Sequence, residues 1–295
     1  MSKLKNLPKI IAVVGPTASG KTDLAIKLAE KFSGELISVD SRQIYKEMNI
    51  GTAKDASYPH HLFDIVEPNQ IFSVAEFKEK ALETIDDIIK RNKLPILVGG
   101  TGLYLDAILY NFNFSKIKAD LDLRAELKQK SLEELDRILQ SIDPQAASIA
   151  RGNKRRLIRA LEVIKKTNQS FSEQKSKGEI LFDFLILGIK VPPENLHERI
   201  ETRVDKMIEE GLIDEVKSLT EKYGSDIYAL QNTIGYKEII LYLKDEISLE
   251  EAKKEINKNT RRYAKRQMTW FKRNQDINWI KNLSEAEKLV SQFVS

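Results

Sequence analysis

Apolar and polar residues follow two alternating periods along this chain. Ile10-Ile11-Ala12-Val13-Val14 is an unbroken, β-branched apolar run, the pattern of a strand buried on both faces of a parallel sheet. From Asp23 to Glu30 the apolar residues recur at helical spacing. Glu35 to Asp40 reads as a second short strand, and Tyr45 to Pro68 has little periodicity. Ser73 and Glu76 have the spacing of a capping box. The helix they open, Val74 to Arg91, is apolar at Val74, Phe77, Ala81, Leu82, Ile85, Ile88 and Ile89. Pro95-Ile96-Leu97-Val98 is a third strand. It runs into Gly99-Gly100-Thr101-Gly102, which opens a helix at Leu103 to Leu109.

From about Lys116 the texture changes. Ala119 to Gln140 is charged and helical, Asp143-Pro144 starts another helix, and Asn153 to Thr167 continues the run. No strand pattern returns until Leu181 to Val191. Pro192-Pro193 then break the chain before a helix from Glu194 to Glu210, ended by Gly211. A helix from Asp214 to Tyr223 follows, and Leu249 to Arg273 is the last long one. On it Ile256, Tyr263, Ala264, Met268 and Phe271 form the protein-facing stripe. Arg261, Arg262, Lys265, Arg266 and Lys272 face outward.

One stretch gives this pattern a chemistry. Gly15-Pro16-Thr17-Ala18-Ser19-Gly20-Lys21-Thr22 fills every fixed position of G-x-x-x-x-G-K-[ST], and it lies between a strand and a helix, where that motif has a mechanism. Backbone N–H groups at a helix N-terminus point at one anion, and the helix dipole favours it. Lys21 adds a point charge, and the Thr22 hydroxyl is a candidate ligand for Mg²⁺ carried by the phosphates. A diphosphate group is expected here, in a loop of the kind that also binds nucleotides such as ATP. The loop alone leaves open which group is transferred. The fold class expected is α/β, a parallel sheet core of the P-loop NTPase type with a helical insertion domain. Residues 1–116 would be the first part of the core and 117–185 the insertion. Residues 186–295 would be the second part of the core, with a basic C-terminal helix.

Composition narrows the function classes. Without cysteine, disulfides, thiolate zinc sites and thiol catalysis are excluded. Met1 to Lys9 lacks the apolar run of a signal peptide, and no stretch approaches the roughly 18 apolar residues of a membrane span. A cytoplasmic protein with no membrane partner is expected. The net charge is only +4, but two stretches are strongly basic. Arg151 to Lys177 carries +7 and Lys253 to Arg273 carries +8, which leaves −11 on the rest of the chain. Two basic stretches on an otherwise acidic chain fit a polyanion footprint.

The remaining candidates lie at strand ends, where open parallel sheets bind ligands. Asp40, in Asp40-Ser41-Arg42-Gln43, ends the second strand and comes near the phosphate loop if the first two strands are neighbours. A lone carboxylate beside a diphosphate can ligate a metal or accept a proton from an incoming nucleophile. Thr101, in the second glycine-rich turn, would face the same cleft. Arg199 and Arg203 share one helix face. The adjacent His60 and His61 suit packing or a loop better than a metal, because sequence neighbours do not share a face. The guanine-reading N-K-x-D of GTPases is absent.

Taken together, these residues resemble the tRNA dimethylallyltransferases (isopentenyl-tRNA transferases), essentially end to end. The resemblance rests on Gly15–Thr22, Asp40–Tyr45, Ile50–Lys54, Pro59–Leu62, Pro95–Tyr104, Asn153–Glu162, Arg203–Met207, Ile234–Glu238 and Thr260–Trp270. The chain departs from the family pattern in lacking a proline ahead of Ala119-Asp120, and it has no cysteine-bearing C-terminal zinc module. The resemblance implies prenyl transfer from dimethylallyl diphosphate to N6 of the adenine 3′ of the anticodon. That adenine is position 37 in tRNAs reading codons that begin with U, and diphosphate is released. It also implies that Gly15 to Thr22 hold the diphosphate with Mg²⁺ and that Asp40 takes the amino proton. Thr101 would help position the reacting atoms, and Arg203 would contact the diphosphate. Asp40, Ser41, Arg42, Gln43, Thr101, Arg124, Arg155, Arg156, Leu157, Ile158 and Arg159 would touch the anticodon stem-loop, and the protein would act as a monomer. Three rival readings remain: a prenyltransferase acting on free adenine nucleotides, a P-loop small-molecule kinase, and a non-catalytic RNA-binding module.

Overall fold

The computed structural model describes residues 7–114, 120–174 and 178–295. The chain divides into two compact units, one made of residues up to 109 and from 181 on, the other of residues 110–180. In the first unit the described residues form one all-parallel sheet of β1 (Lys9–Val14), β2 (Gly34–Ser38), β3 (His60–His61), β4 (Leu94–Gly99), β5 (Asp183–Ile189) and β6 (Ile277–Ile280). The spatial order is β3-β2-β4-β1-β5-β6. Thus β1 and β2 are not neighbours, as the placing of Asp40 supposed, because β4 lies between them. The register brings Asp40 to the same edge nonetheless. Val14 pairs with Gly99, and Ser38 pairs with Val98, so β1, β2 and β4 end level with one another.

Side-chain alternation along these strands supplies two faces. Ile11, Val13, Leu36, Ile96, Val98 and Leu187 pack against Leu24, Ala25 and Leu28 of α1 (Lys21–Phe32). Ile10, Ala12, Ile37 and Leu97 are fully buried on the opposite face. The predicted capping box is present at the start of α2 (Val74–Lys90), whose Phe77, Ala81, Ile85 and Ile88 are buried. The apolar α3 (Gly102–Leu109) follows β4, and Tyr104 stacks on Phe77 with ring centroids 4.0 Å apart.

The second unit is helical. It contains α4 (Leu121–Gln129), α5 (Leu132–Ile142), α6 (Pro144–Ala150), α7 (Lys154–Thr167) and α8 (Phe171–Gln174). The single helical run expected over 119–140 is two helices, because Ser131 and Glu134 form a capping box that starts α5. Ala119 lies outside the described residues. Leu123, Leu127, Leu135, Leu139, Leu157 and Leu161 form the core. Asp143 caps α6 by accepting from Ala146 N at 2.9 Å, and its carboxylate also binds Ser170 Oγ, Ser172 N and Ser172 Oγ. Burial opposes its charge, but these bonds outweigh it and hold its pKa down at about 2. The sequence-based boundary at 117 falls outside the described residues. The one at 185 falls inside β5, because residues 183–185 already pair with β1.

The first unit resumes with β5 and then α9 (Pro193–Glu209), α10 (Leu212–Tyr223), α11 (Tyr228–Gln231), α12 (Tyr236–Leu243), α13 (Leu249–Phe271), β6 and α14 (Leu283–Val294). Ala286 and Val290 of α14 join the core on the α1 face. On α10, the Glu215 carboxylate accepts from the N–H groups of Asn49, Ile50 and Gly51 and from the Tyr236 hydroxyl. One buttress therefore fixes the otherwise irregular loop after β2.

Candidate active site

The phosphate loop has the backbone its sequence requires. Gly20 has φ 82° at the N-cap of α1, and Ala18 has φ 60°. Left-handed residues at this spacing turn successive N–H groups toward one point, the geometry of an anion nest. The Ser19 hydroxyl is buried without a hydrogen-bond partner among the described residues. A buried orphan hydroxyl is costly, and beside a nest its natural partner is a phosphate oxygen. Lys21 Nζ lies 3.3 Å from the Pro16 carbonyl oxygen. Burial and the neighbouring Arg203 lower the Lys21 pKa to about 8, against an opposing pull from Asp40.

The loop opens onto a polar cavity lined by Thr17, Lys21, Thr22, Asp40, Gln43 and Arg203, with Tyr263 and Gln267 arriving from α13. Asp40 sits in a tight turn in which Oδ1 accepts from Arg42 N at 2.8 Å. Gln43 is held from three sides. Its Nε2 donates to the carbonyls of Thr52 and Ala53, both at 3.2 Å, and its Oε1 accepts from Ser38 Oγ at 2.8 Å. Arg203 turns inward and donates to Thr17 Oγ1 at 3.2 Å. Burial lowers its pKa, and Asp40 offsets part of that shift; guanidinium nevertheless stays charged in proteins.

Thr101 is not among the residues that line the cavity. Its hydroxyl accepts from Ser41 N at 3.1 Å and lies 3.5 Å from Ser41 Oγ, and its N–H donates to the Val39 carbonyl. Thr101 therefore ties the turn that carries Asp40 to the glycine-rich turn after β4. Gly99 is required there because a Cβ would stand 2.1 Å from the Val39 carbonyl oxygen.

Two site residues were not legible as such. Gln267 is 5% exposed on the inner face of α13, and Tyr263 lines the cavity one turn earlier. The available signal was a polar glutamine at the spacing of the apolar stripe, three residues after Ala264. His60, read as a packing or loop residue, is among the residues that line the cavity. It is stacked on Phe63 with centroids 4.6 Å apart, and its Nδ1 donates to the Tyr58 carbonyl.

In the second unit, Arg155 and Arg156 are exposed on the first turn of α7, which Asn153 caps. Arg124 donates to Glu162 through Nε at 2.8 Å and Nη2 at 2.9 Å, and Arg159 donates to it at 2.5 Å. Burial disfavours the Glu162 charge, but Arg124, the Asp120 N–H and Arg159 outweigh it and lower its pKa. Leu157 and Ile158 require a correction as RNA-contact candidates. They are 0% and 6% exposed within the helical core, so their side chains cannot reach a ligand. Residues 175–177 of the first basic stretch lie outside the described residues. In the second stretch, Lys253, Lys258 and Arg261 pair with Asp205, Glu255 and Glu201. Arg262, Lys265, Arg266, Lys272 and Arg273 stay exposed with no ion pair among the described residues.

A P-loop that shares one cavity with a carboxylate and two half-buried cations at the ends of parallel strands defines a protein that handles a phosphorylated donor on a P-loop-like α/β fold. Comparison with known proteins narrows this. The IPP transferase family model matches residues 43–274, and an isopentenyl transferase model matches residues 8–59. The chain belongs to the IPP transferase family. It is 46% identical to a tRNA dimethylallyltransferase of Acetivibrio thermocellus, over 97% of this chain and 96% of that one. Among solved structures it is similar to the full-length tRNA isopentenylpyrophosphate transferase of Bacillus halodurans. That match has TM-score 0.72 and 41% identity, and covers 97% of this chain and 95% of that one. It is also similar to a eukaryotic dimethylallyltransferase described as acting on tRNA, with TM-score 0.79 and 31% identity, over 97% of this chain and 77% of that one. No helix among the described residues is long and apolar enough to cross a membrane.

Proposed function

We propose that this protein transfers the dimethylallyl group of dimethylallyl diphosphate to N6 of adenine 37, next to the anticodon of tRNAs that read codons beginning with U. The observation that carries the reading is a single cavity lined together by the phosphate loop's Thr17, Lys21 and Thr22, by Arg203 and by the Asp40 carboxylate. In the reaction the C1–O bond to diphosphate breaks and a C1–N6 bond forms. Asp40 takes one proton from the amino nitrogen, and diphosphate leaves. The allylic carbon carries positive charge stabilised by resonance. Its departure therefore depends on stabilising the charge that gathers on the leaving oxygens. Lys21, Arg203 and the loop N–H groups are aimed where that charge develops. Thr101, Ser41 and Gln43 fix the turn that presents Asp40.

Thr22 gives the cavity a hydroxyl oxygen donor, which suits an ion that keeps most of its water and binds through substrate phosphates. Thr22 would hold Mg²⁺, which when bound would neutralise part of the diphosphate charge. The adenine must leave its stack to reach the cavity, at a cost of a few kcal/mol. Phosphate contacts from the exposed basic residues of α13, and from Arg155 and Arg156, offset that cost. The same proposal has the protein act as a cytoplasmic monomer.

The test incubates the protein with unmodified tRNA, labelled dimethylallyl diphosphate and Mg²⁺. Labelled N6-dimethylallyladenosine in the digest is the expected product. Transfer to free adenine nucleotides but not to tRNA, or phosphate transfer from ATP to a small acceptor, would replace this reading.

A further inference from the structure

Of the large apolar side chains exposed by more than a third among the described residues, Tyr228 is the one aromatic, at 45%. Its backbone is not loose. It begins α11, whose next two residues, Ala229 and Leu230, are fully buried. The Tyr228 carbonyl accepts from both Asn232 N and Asn232 Nδ2. The ring is therefore presented on a short, anchored helix. The Arg42 guanidinium lies over it, 5.7 Å from the ring centroid. Arg42 sits in the chain between Asp40 and Gln43, which both line the cavity, and its own N–H is bonded to Asp40. The exposed ring thus stands beside the turn that carries the proposed proton acceptor.

We propose that Tyr228, with Arg42, is a stacking platform for an unpaired nucleobase next to the adenine that enters the cavity. This inference rests on the reading of tRNA as the substrate. An anticodon loop that gives up one base leaves its neighbours unstacked on that side, and each exposes an apolar face. Proteins that recognise single-stranded RNA cover such faces with aromatic rings and arginine planes. An anchored tyrosine with a guanidinium already against it offers both. Stacking is tolerant of base identity, so the platform would hold the loop open without adding a sequence requirement at that position.

The test compares wild type with Y228A, Y228F and Y228W, each checked for an unchanged Tm. It uses an anticodon stem-loop RNA and two analogues carrying an abasic site immediately 5′ or 3′ of the target adenine. Y228A should weaken binding of the intact stem-loop, and raise its KM, by about tenfold, with kcat unchanged. Y228F and Y228W should stay within about twofold of wild type. The Y228A penalty should vanish with one of the two abasic RNAs. A penalty that persists with both would mean that the ring only orients Arg42, and would overturn the proposal, as would no effect of Y228A on the intact RNA. Wild type that binds the stem-loop but never prenylates it would overturn the proposed reaction alone. Wild type that binds no stem-loop would overturn both.

Discussion

Gln267 Oε1 accepts the Thr17 N–H at 2.9 Å, and Gln267 Nε2 donates to the Gly100 carbonyl at 3.0 Å. One buried amide on α13 therefore ties the phosphate loop to the glycine-rich turn after β4. The fit leaves no slack, because a Cβ on Gly100 would stand 2.0 Å from Gln267 Nε2. The bond also withdraws the Thr17 N–H from the nest, so the anion is left to the N–H groups that follow it.

Replacing Gln267 with leucine keeps the volume and removes both bonds, leaving the Thr17 N–H and Gly100 carbonyl buried and unpaired. Each such orphan costs about 1–3 kcal/mol. The expected outcome is a lower Tm together with weaker binding of dimethylallyl diphosphate, measured by calorimetry, and unchanged affinity for tRNA.

Asp40→Ala should bind tRNA and dimethylallyl diphosphate much as the wild type does and lose turnover by a factor of roughly 10²–10⁴. Single-turnover rates set against filter-binding affinities separate the two effects. Turnover near the wild-type rate would remove Asp40 from the chemistry.

The exposed cations of α13 predict strong salt dependence. Binding of a tRNA that neutralises several phosphates should weaken steeply with added salt. Changing Arg262 and Arg266 to alanine should reduce the slope of log affinity against log salt by about 1 to 2, with no change in the preferred sequence. Titrations at four or five salt concentrations provide the check.

Asp143 makes the helical unit acid-sensitive. Its pKa is depressed to about 2 in the folded protein against about 3.9 when unfolded. Its contribution is therefore fully present above about pH 4 and is lost as pH falls toward 2. Asp143→Asn should cost about 1–3 kcal/mol at pH 7, and the gap between variant and wild type should narrow across that acid window. Unfolding midpoints measured from pH 2 to pH 7 test the sign directly.

The fixed glycines, Lys21 and Thr22 were readable as a phosphate loop because their spacing is local and each has a stated task. The place of Asp40 beside the phosphate loop was readable because strand ends in a parallel sheet share one edge. The bond from Ser41 N to the Thr101 hydroxyl was not, since only folding brings those two turns together. Leu157 and Ile158 were drawn into the RNA-contact set by lying between arginines in the chain. The helical turn sends them to the opposite face, into the core.

By itself the sequence determined the alternation of strand and helix, the phosphate-loop motif between β1 and α1 and the presence of a helical stretch between β4 and β5, all of which depend on neighbours a few residues apart. Only the tertiary structure decided that β4 separates β1 from β2, that Arg203 reaches Thr17 across 186 residues and that Gln267 does so across 250. Sheet order and long-range hydrogen bonds arise from how whole elements pack. No local period records which distant group a buried amide or a half-buried guanidinium will meet.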